Sequence, residues 1–190
     1  LTILGVGGLG FLSLPWLLIA SLPTDVAQLP VADVVVHWAA TPRSQADEWV
    51  VHLYQQGRAK QIVCVSAPVS WDAYAADFAR QHLLTLGVPA EKVLTLHLEQ
   101  EPCIAPNIKR VAAYVKAQGW QSALVVMPPI APTSRLEKYF QQEGLKLALS
   151  SAPQDRVELA RDWWRTHWKI QMLVEAAVTI ALDTPYAECW

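Results

Sequence analysis

Two histidines stand at the ends of short apolar runs, where strands are expected to finish. His37 lies near the end of residues 32–38, and His97 closes residues 92–97. Histidine changes its charge near neutral pH and often serves as a general acid or base. Two such rings facing one crevice could act as an acid and base pair. Histidines simply packed at the strand ends are the alternative.

Arg135 is the cation whose position points most directly to a ligand. Thr133 or Ser134 is expected to cap a helix, which places Arg135 in the first turn of that helix. A cation there opposes the helix dipole, and helix N-termini are well suited to anions. We therefore expect a small anionic ligand near Arg135, with an ordinary surface arginine as the alternative.

Three more polar side chains stand where they could join the same ligand site. Ser66 ends an apolar run before Ala67 and Pro68, whereas Asn107 and Ser134 lie near the starts of expected helices. Ser66 has no evident base that would make it a nucleophile. The ligand-binding candidates are therefore His37, Ser66, Asn107, Ser134 and Arg135, and no catalytic residue is assigned.

Cofactor and metal motifs are absent from the sequence. The sequence contains no G-x-G-x-x-G loop, no P-loop and no G-x-S-x-G elbow, so we expect no nucleotide cofactor. Glu99 and Glu101 could hold a metal together with His97, but a solvated loop is the simpler interpretation. Cys64 is expected to be a small buried side chain, and a disulfide between Cys103 and Cys189 stays open.

Short apolar runs alternate with amphipathic stretches along the chain, and these elements must position the candidate residues. Continuous β-branched or leucine-rich runs predict strands that are covered on both faces. Glycines follow the first four predicted helices, where a left-handed cap is favoured. The predicted strands are residues 32–38, 61–67, 92–97, 122–127 and 145–150, and the predicted helices are residues 44–56, 71–86, 106–118, 134–143 and 156–182.

This alternation predicts a Rossmann-like three-layer α/β/α fold with a mostly parallel sheet of about five strands. Strand–helix–strand units require right-handed crossovers, which place helices on both faces of the sheet. Ligands of such sheets bind beyond the carboxyl ends of the strands. The candidate side chains are therefore expected along one edge of the sheet.

Residues 1–23 contain no charged side chain and are long enough to cross a bilayer as a helix. Glycine and proline within the segment are tolerated in transmembrane helices. The sequence around Ala20 is a poor cleavage site, so we expect a retained anchor, a linker at residues 24–30 and a domain at residues 31–190. No lysine or arginine follows until Arg43, which favours a domain outside the cytoplasm.

The overall charge argues against nucleic acid as a partner. The net charge is −2, and the 15 basic residues are scattered along the sequence. Nucleic-acid binding depends on a concentrated basic surface. The expected partners are therefore the membrane, through residues 1–23, and a small anionic ligand.

The order of the predicted strands, helices and short motifs over residues 31–182 resembles that of the YdcF/SanA/ElyC-like family of bacterial envelope proteins. The resemblance is carried by GRAKQIVCVS at residues 57–66, by Gly-Val-Pro at residues 87–89, by Asn107 and by Arg135-Leu136. It implies a Rossmann-like domain on a single-pass anchor in the bacterial inner membrane, with the domain on the periplasmic side.

Several polar positions of the family pattern carry other residues in this sequence. His37 and Trp38 replace the glycines that end strand one, Pro106 stands in place of a glutamate, and Pro132 in place of a histidine. Two hypotheses follow. The chain is either an envelope enzyme acting on a phosphate-bearing or cell-wall-related small molecule, or a divergent non-catalytic module that binds a partner at the membrane surface.

Overall fold

The computed structural model describes residues 25–39, 44–101, 104–127 and 133–153. Side chains of Thr133, Ser134 and Arg135 are not described, although their helix is. The predicted anchor, the predicted last helix at residues 156–182, Cys103 and Cys189 all lie outside these ranges. Among the helices that the structure describes, none is long and apolar enough to cross a membrane.

Five strands form one parallel sheet, which confirms the predicted fold class. The three inner strands, β1, β2 and β6, are runs of mostly buried and mostly β-branched side chains, as expected for a sheet covered on both faces. A separate two-stranded antiparallel hairpin follows β2. The strands are β1 (Val34–Trp38), β2 (Gln61–Ser66), β3 (Pro68–Ser70), β4 (Ala73–Tyr74), β5 (Val93–His97), β6 (Ser122–Val126) and β7 (Lys146–Ser150).

Four α-helices connect the strands of the large sheet. Gly57 and Gly87 follow the first two helices with φ of 69° and 90°, so each helix ends in the left-handed cap that its glycine predicts. Two short 3-10 turns lie at Val26–Gln28 and Ala90–Lys92. The helices are α1 (Gln45–Gln55), α2 (Ala75–Thr85), α3 (Ile104–Ala117) and α4 (Thr133–Gln142).

The β3–β4 hairpin occupies residues where the sequence predicted the start of a helix. The prediction began α2 at Trp71, but α2 begins at Ala75. Trp71 instead adopts φ 36° in the turn between β3 and β4, a conformation no helix interior contains. The pairing of Pro68 with Tyr74 competes with helix formation and moves its start by one turn.

The strand order is β5-β2-β1-β6-β7, with β1 at the centre. The chain builds one half of the sheet through β2 and β5 and then crosses to β6 and β7 on the other side of β1. Right-handed crossovers therefore place α1 and α2 on one face and α3 and α4 on the other. The direction of winding changes between β1 and β6, which is where ligands bind in sheets of this kind.

One apolar core lies on each face of this sheet. The core under α1 and α2 includes Val35, Leu53 and Ile62, and the core under α3 and α4 includes Val36 and Phe140. Successive residues of β1 alternate between these cores because side chains of a strand point to opposite faces. His37, two residues after Val35, therefore points toward α1 and α2.

The segment before β1 packs along the amino edge of the sheet, the edge formed by the amino ends of its strands. Leu29, within the predicted linker, is buried, and its carbonyl accepts a hydrogen bond of 2.8 Å from the Arg58 guanidinium. Asp33 accepts bonds from the backbone N–H of Gln121 and from the hydroxyl and N–H of Ser122. These bonds hold the pKa of Asp33 below its ordinary value. The chain thus reaches β1 from the amino edge.

Candidate functional site

A buried carboxylate links three elements near the carboxyl end of β1. The Oδ1 atom of Asp47, in the first turn of α1, lies 2.6 Å from Nε2 of His37 on β1. Its Oδ2 atom lies 2.7 Å from Nδ1 of His82 on α2. The hydroxyl of Ser44 donates a third bond of 3.0 Å to Oδ1. One side chain of α1 therefore holds both the central strand and the neighbouring helix.

The electrostatics of this cluster favour an ionised Asp47. Burial disfavours the charged form, but the hydrogen bonds from His37, His82 and Ser44 and the charge of His37 outweigh it, so the pKa of Asp47 lies below its ordinary value. The start of α1 also favours a negative charge through the helix dipole. Asp47 is thus a stable anion inside the fold.

His37 is fixed by this carboxylate and closed off from solvent. An ionised carboxylate only accepts hydrogen bonds, so Nε2 of His37 carries the shared proton. Its Nδ1 atom is buried and has no hydrogen-bond partner among the described residues. Because neither ring nitrogen reaches solvent, the geometry makes His37 a structural link between β1 and α1.

The two histidines of the predicted acid and base pair do not meet. His97 lies on β5, the edge strand, and its Nε2 atom is 2.9 Å from Oδ1 of Asp77. Tyr74 stacks on the His97 ring, with 3.9 Å between ring centroids and an interplanar angle of 11°. Strand β2 separates β5 from β1, so each histidine has its own carboxylate and its own surroundings.

Ser66 supplies the cap that α2 lacks. The residue before α2, Tyr74, makes no side-chain cap, and the hydroxyl oxygen of Ser66 instead accepts the N–H of Ala76 at 3.0 Å. Ser66 is buried, and its backbone carbonyl accepts the N–H of Leu98. The hydroxyl of Ser66, at the end of β2, therefore caps the start of α2.

Asn107 has one amide atom that is hydrogen-bonded and one that is not. Its Nδ2 atom donates a bond of 3.1 Å to the carbonyl of Glu99, which fixes the orientation of the amide. Its buried Oδ1 atom has no hydrogen-bond partner among the described residues. An amide oxygen pairs with hydroxyl or N–H donors, so this atom suits a donor group of a ligand better than its phosphate oxygens.

Ser134 and Arg135 lie in the first turn of α4, since α4 begins at Thr133. Helix α4 follows β6 in the chain, so it begins at the carboxyl edge beside the change in winding direction. Buried Leu136 and Phe140 hold the helix against the sheet. The backbone thus places Arg135 at the edge where the sequence predicts the ligand.

The metal and thiol possibilities find no support among the described residues. No group of three or more histidine, cysteine, aspartate and glutamate side chains in them could hold a metal ion. Glu99 pairs with Arg110 at 2.9 Å. Cys64 is buried as predicted, and burial followed by the charge of Asp47 raises the pKa of its thiol far above the usual range. Such a thiol is a poor nucleophile.

The sequence interpretation missed Asp47, His82 and the bond between Trp49 and Ser150. The Trp49 indole N–H donates to the Ser150 hydroxyl at 3.0 Å, across 101 residues of chain. The sequence could have pointed to Asp47, because this residue lies three and four positions before the apolar Val50 and Val51. Residues at these spacings share one face of a helix, and in α1 that face is buried. A carboxylate on an apolar helix face requires buried donors.

No protein-family model matches this chain, and no curated protein matches it. Its fold is similar to that of TcdA (CsdL), at 13% identity over 65% of this chain with a TM-score of 0.40. It is also similar to the U34-tRNA thiolase NcsA from Methanococcus maripaludis with its 4Fe-4S cluster, at 10% identity over 93% of this chain with a TM-score of 0.45. The chain spans 50% of TcdA and 74% of NcsA. Likenesses this weak carry no argument about activity.

Proposed function

We propose that this chain is a membrane-anchored envelope protein of the YdcF/SanA/ElyC-like family that binds a small phosphate-bearing or cell-wall-related molecule. The site is the crevice beyond the carboxyl ends of β1 and β6. The observation that carries the ligand site is the strand order, which changes winding direction at this point, beside the first turn of α4. Backbone N–H groups at the start of that helix, together with Arg135, are donors for an anion.

The internal hydrogen bonds of the other candidates favour binding without turnover. The His37 ring is held by Asp47 and the Ser66 hydroxyl by the N–H of Ala76. A general acid or base has to reach the proton that it transfers, and the buried His37 does not. The Oδ1 atom of Asn107 has no hydrogen-bond partner among the described residues, and such an acceptor suits a hydroxyl group of the ligand.

Replacement of Arg135 tests this site. In the full chain held in detergent micelles, Arg135→Ala should weaken binding of glucose 1-phosphate about 10-fold or more, because a charge-assisted hydrogen bond contributes roughly 1.5–3 kcal/mol. Isothermal titration calorimetry measures the dissociation constant. A sugar phosphate is the probe because it offers an anion to Arg135 and hydroxyl groups to Asn107.

Lys138→Ala is the matched control, since it removes a cation one turn further along α4, where Nζ lies 5.8 Å from the centroid of the Tyr139 ring. Its affinity should stay near that of the wild type. Equal affinity in the two variants, or no binding of glucose 1-phosphate to the wild type, would contradict the proposed site.

A further inference from the structure

An exposed apolar surface lies on the β3–β4 hairpin and the first turn of α2. The side chains of Val69, Trp71 and Phe78 are 51%, 97% and 47% exposed. Among the described residues, Val31 is the other strongly exposed large hydrophobic side chain, and it lies at the opposite, amino edge of the sheet. The hairpin surface is therefore a local concentration of apolar area at the carboxyl edge.

The backbone holds the most exposed of these side chains away from the domain. Trp71 has φ 36°, the only positive φ of a non-glycine residue in the described part of the chain. A β-carbon is disfavoured in that conformation, which glycine or asparagine would adopt more easily. A large apolar side chain stands at a strained and almost fully exposed position, and no packing within the described residues accounts for it.

Three carboxylates lie on or near this surface, and one of them has no ion pair among the described residues. Asp72 follows Trp71 in the turn, Asp77 lies in the first turn of α2, and Glu99 follows β5. Within the described residues, Asp77 is bonded to His97 and Glu99 to Arg110, but Asp72 has no ion pair. The surface thus combines exposed aromatic rings, whose faces attract cations, with an unpaired carboxylate.

We propose that the hairpin surface, formed by Val69, Trp71, Asp72, Asp77 and Phe78, binds a partner protein through a segment that contains both basic and apolar residues. Apolar side chains of that segment cover Val69 and Phe78. Its basic side chains lie over the Trp71 indole and pair with the nearby carboxylates.

Charge complementarity selects this partner over a lipid surface. Anionic headgroups attract basic residues, whereas the carboxylate of Asp72, which has no ion pair among the described residues, repels such headgroups. The hairpin also follows β2 at the carboxyl edge, while the chain reaches β1 from the amino edge. The hairpin surface is thus at the end of the sheet away from the segment that leads to the predicted anchor.

The test uses a fluorescein-labelled peptide of alternating lysine and leucine, with the full chain in phosphatidylcholine nanodiscs and empty nanodiscs as the blank. Fluorescence anisotropy should show binding that weakens as salt rises from 50 to 500 mM, because exposed charges are screened. Trp71→Gly should weaken it at least 10-fold and Asp72→Asn about 3-fold. Glycine also relieves the left-handed φ, so an unchanged or higher Tm will show that the loss does not come from misfolding.

Val31→Ser and Glu91→Gln are the matched controls, because they remove an exposed apolar side chain and an exposed carboxylate away from the hairpin. Both should bind as the wild type does. Arg135→Ala should also leave peptide binding unchanged, which separates this surface from the proposed anion site.

Three results would overturn the proposal. The first is an absence of peptide binding by the wild type, and the second is an equal affinity in Trp71→Gly and Val31→Ser. The third is Trp71-dependent binding of the full chain to phosphatidylglycerol vesicles, which would make the hairpin a lipid contact instead.

Discussion

At the scale of single residues, Asp47 is the buried carboxylate that fixes His37 and His82. A carboxylate in the apolar layer is tolerated only when donors replace its lost water. Here His37 and His82 contact opposite oxygens, and Ser44 donates to one of them. The same bonds that keep Asp47 ionised also prevent His37 from acting on a ligand, so the cluster stabilises the edge of the site without forming its reactive part.

The lowered pKa of Asp47 predicts a pH dependence of stability. Because the folded-state pKa lies below the unfolded value of about 3.9, the ionised Asp47 contributes stability that is fully present above that value. This contribution is lost as the pH falls through the folded-state pKa. Asp47→Asn should lower the free energy of unfolding by about 3 kcal/mol at pH 7, because it leaves buried partners unpaired, and should flatten the decline below pH 4.

Urea denaturation of the full chain in mild detergent, followed by tryptophan fluorescence between pH 2 and 7, measures this effect. Glu48→Gln is the control, since it removes an exposed carboxylate from the same turn of α1. A wild-type and Asp47→Asn difference that stays constant down to pH 2 would argue against an ionised, stabilising Asp47.

At the scale of secondary-structure elements, Ser66 shows how the sheet organises the helix beside it. Helix α2 has no cap of its own, and the strand before the hairpin provides one. A helix start needs such an acceptor because its first N–H groups have no partner within the helix. The hairpin between Ser66 and Ala76 can therefore hold Trp71 outward without loosening α2.

Ser66→Ala should lower the free energy of unfolding by about 1–2 kcal/mol, because it leaves the N–H of Ala76 without an acceptor. Amide hydrogen exchange should quicken at Ala76 before it changes in the sheet. Ser70→Ala, at an exposed serine of β3, is the control and should have little effect. Unchanged exchange at Ala76 would show that the Ser66 hydroxyl does not cap α2.

At the scale of the whole molecule, the described segment before β1 and the two proposed binding surfaces lie at opposite edges of the sheet. The amino edge receives the segment before β1, with Leu29 buried and Arg58 bonded to its carbonyl. The proposed ligand crevice and the hairpin surface are both at the carboxyl edge. If residues 1–23 anchor the chain as proposed, this arrangement directs both surfaces into the aqueous space away from the bilayer.

An alkaline phosphatase fusion after Trp190 tests the proposed location in bacterial cells. The fusion should be active, because alkaline phosphatase requires an oxidising compartment for its disulfides and the segment after residue 23 lacks nearby positive charge. The same fusion without residues 1–23 should be inactive. An inactive full-length fusion would place the domain in the cytoplasm.

The sequence alone determined the five strands of the large sheet, the presence and order of the four connecting helices and their glycine caps, because these depend on the order of neighbouring residues. It also placed Arg135 at a helix start beside the carboxyl edge. The tertiary structure decided which polar side chains form hydrogen bonds within the fold. The His37–Asp47 and Trp49–Ser150 bonds join residues 10 and 101 positions apart. Polar side chains that are far apart in sequence pair with one another only in the folded chain. Residue type and spacing therefore cannot show which donors and acceptors stay available to a ligand.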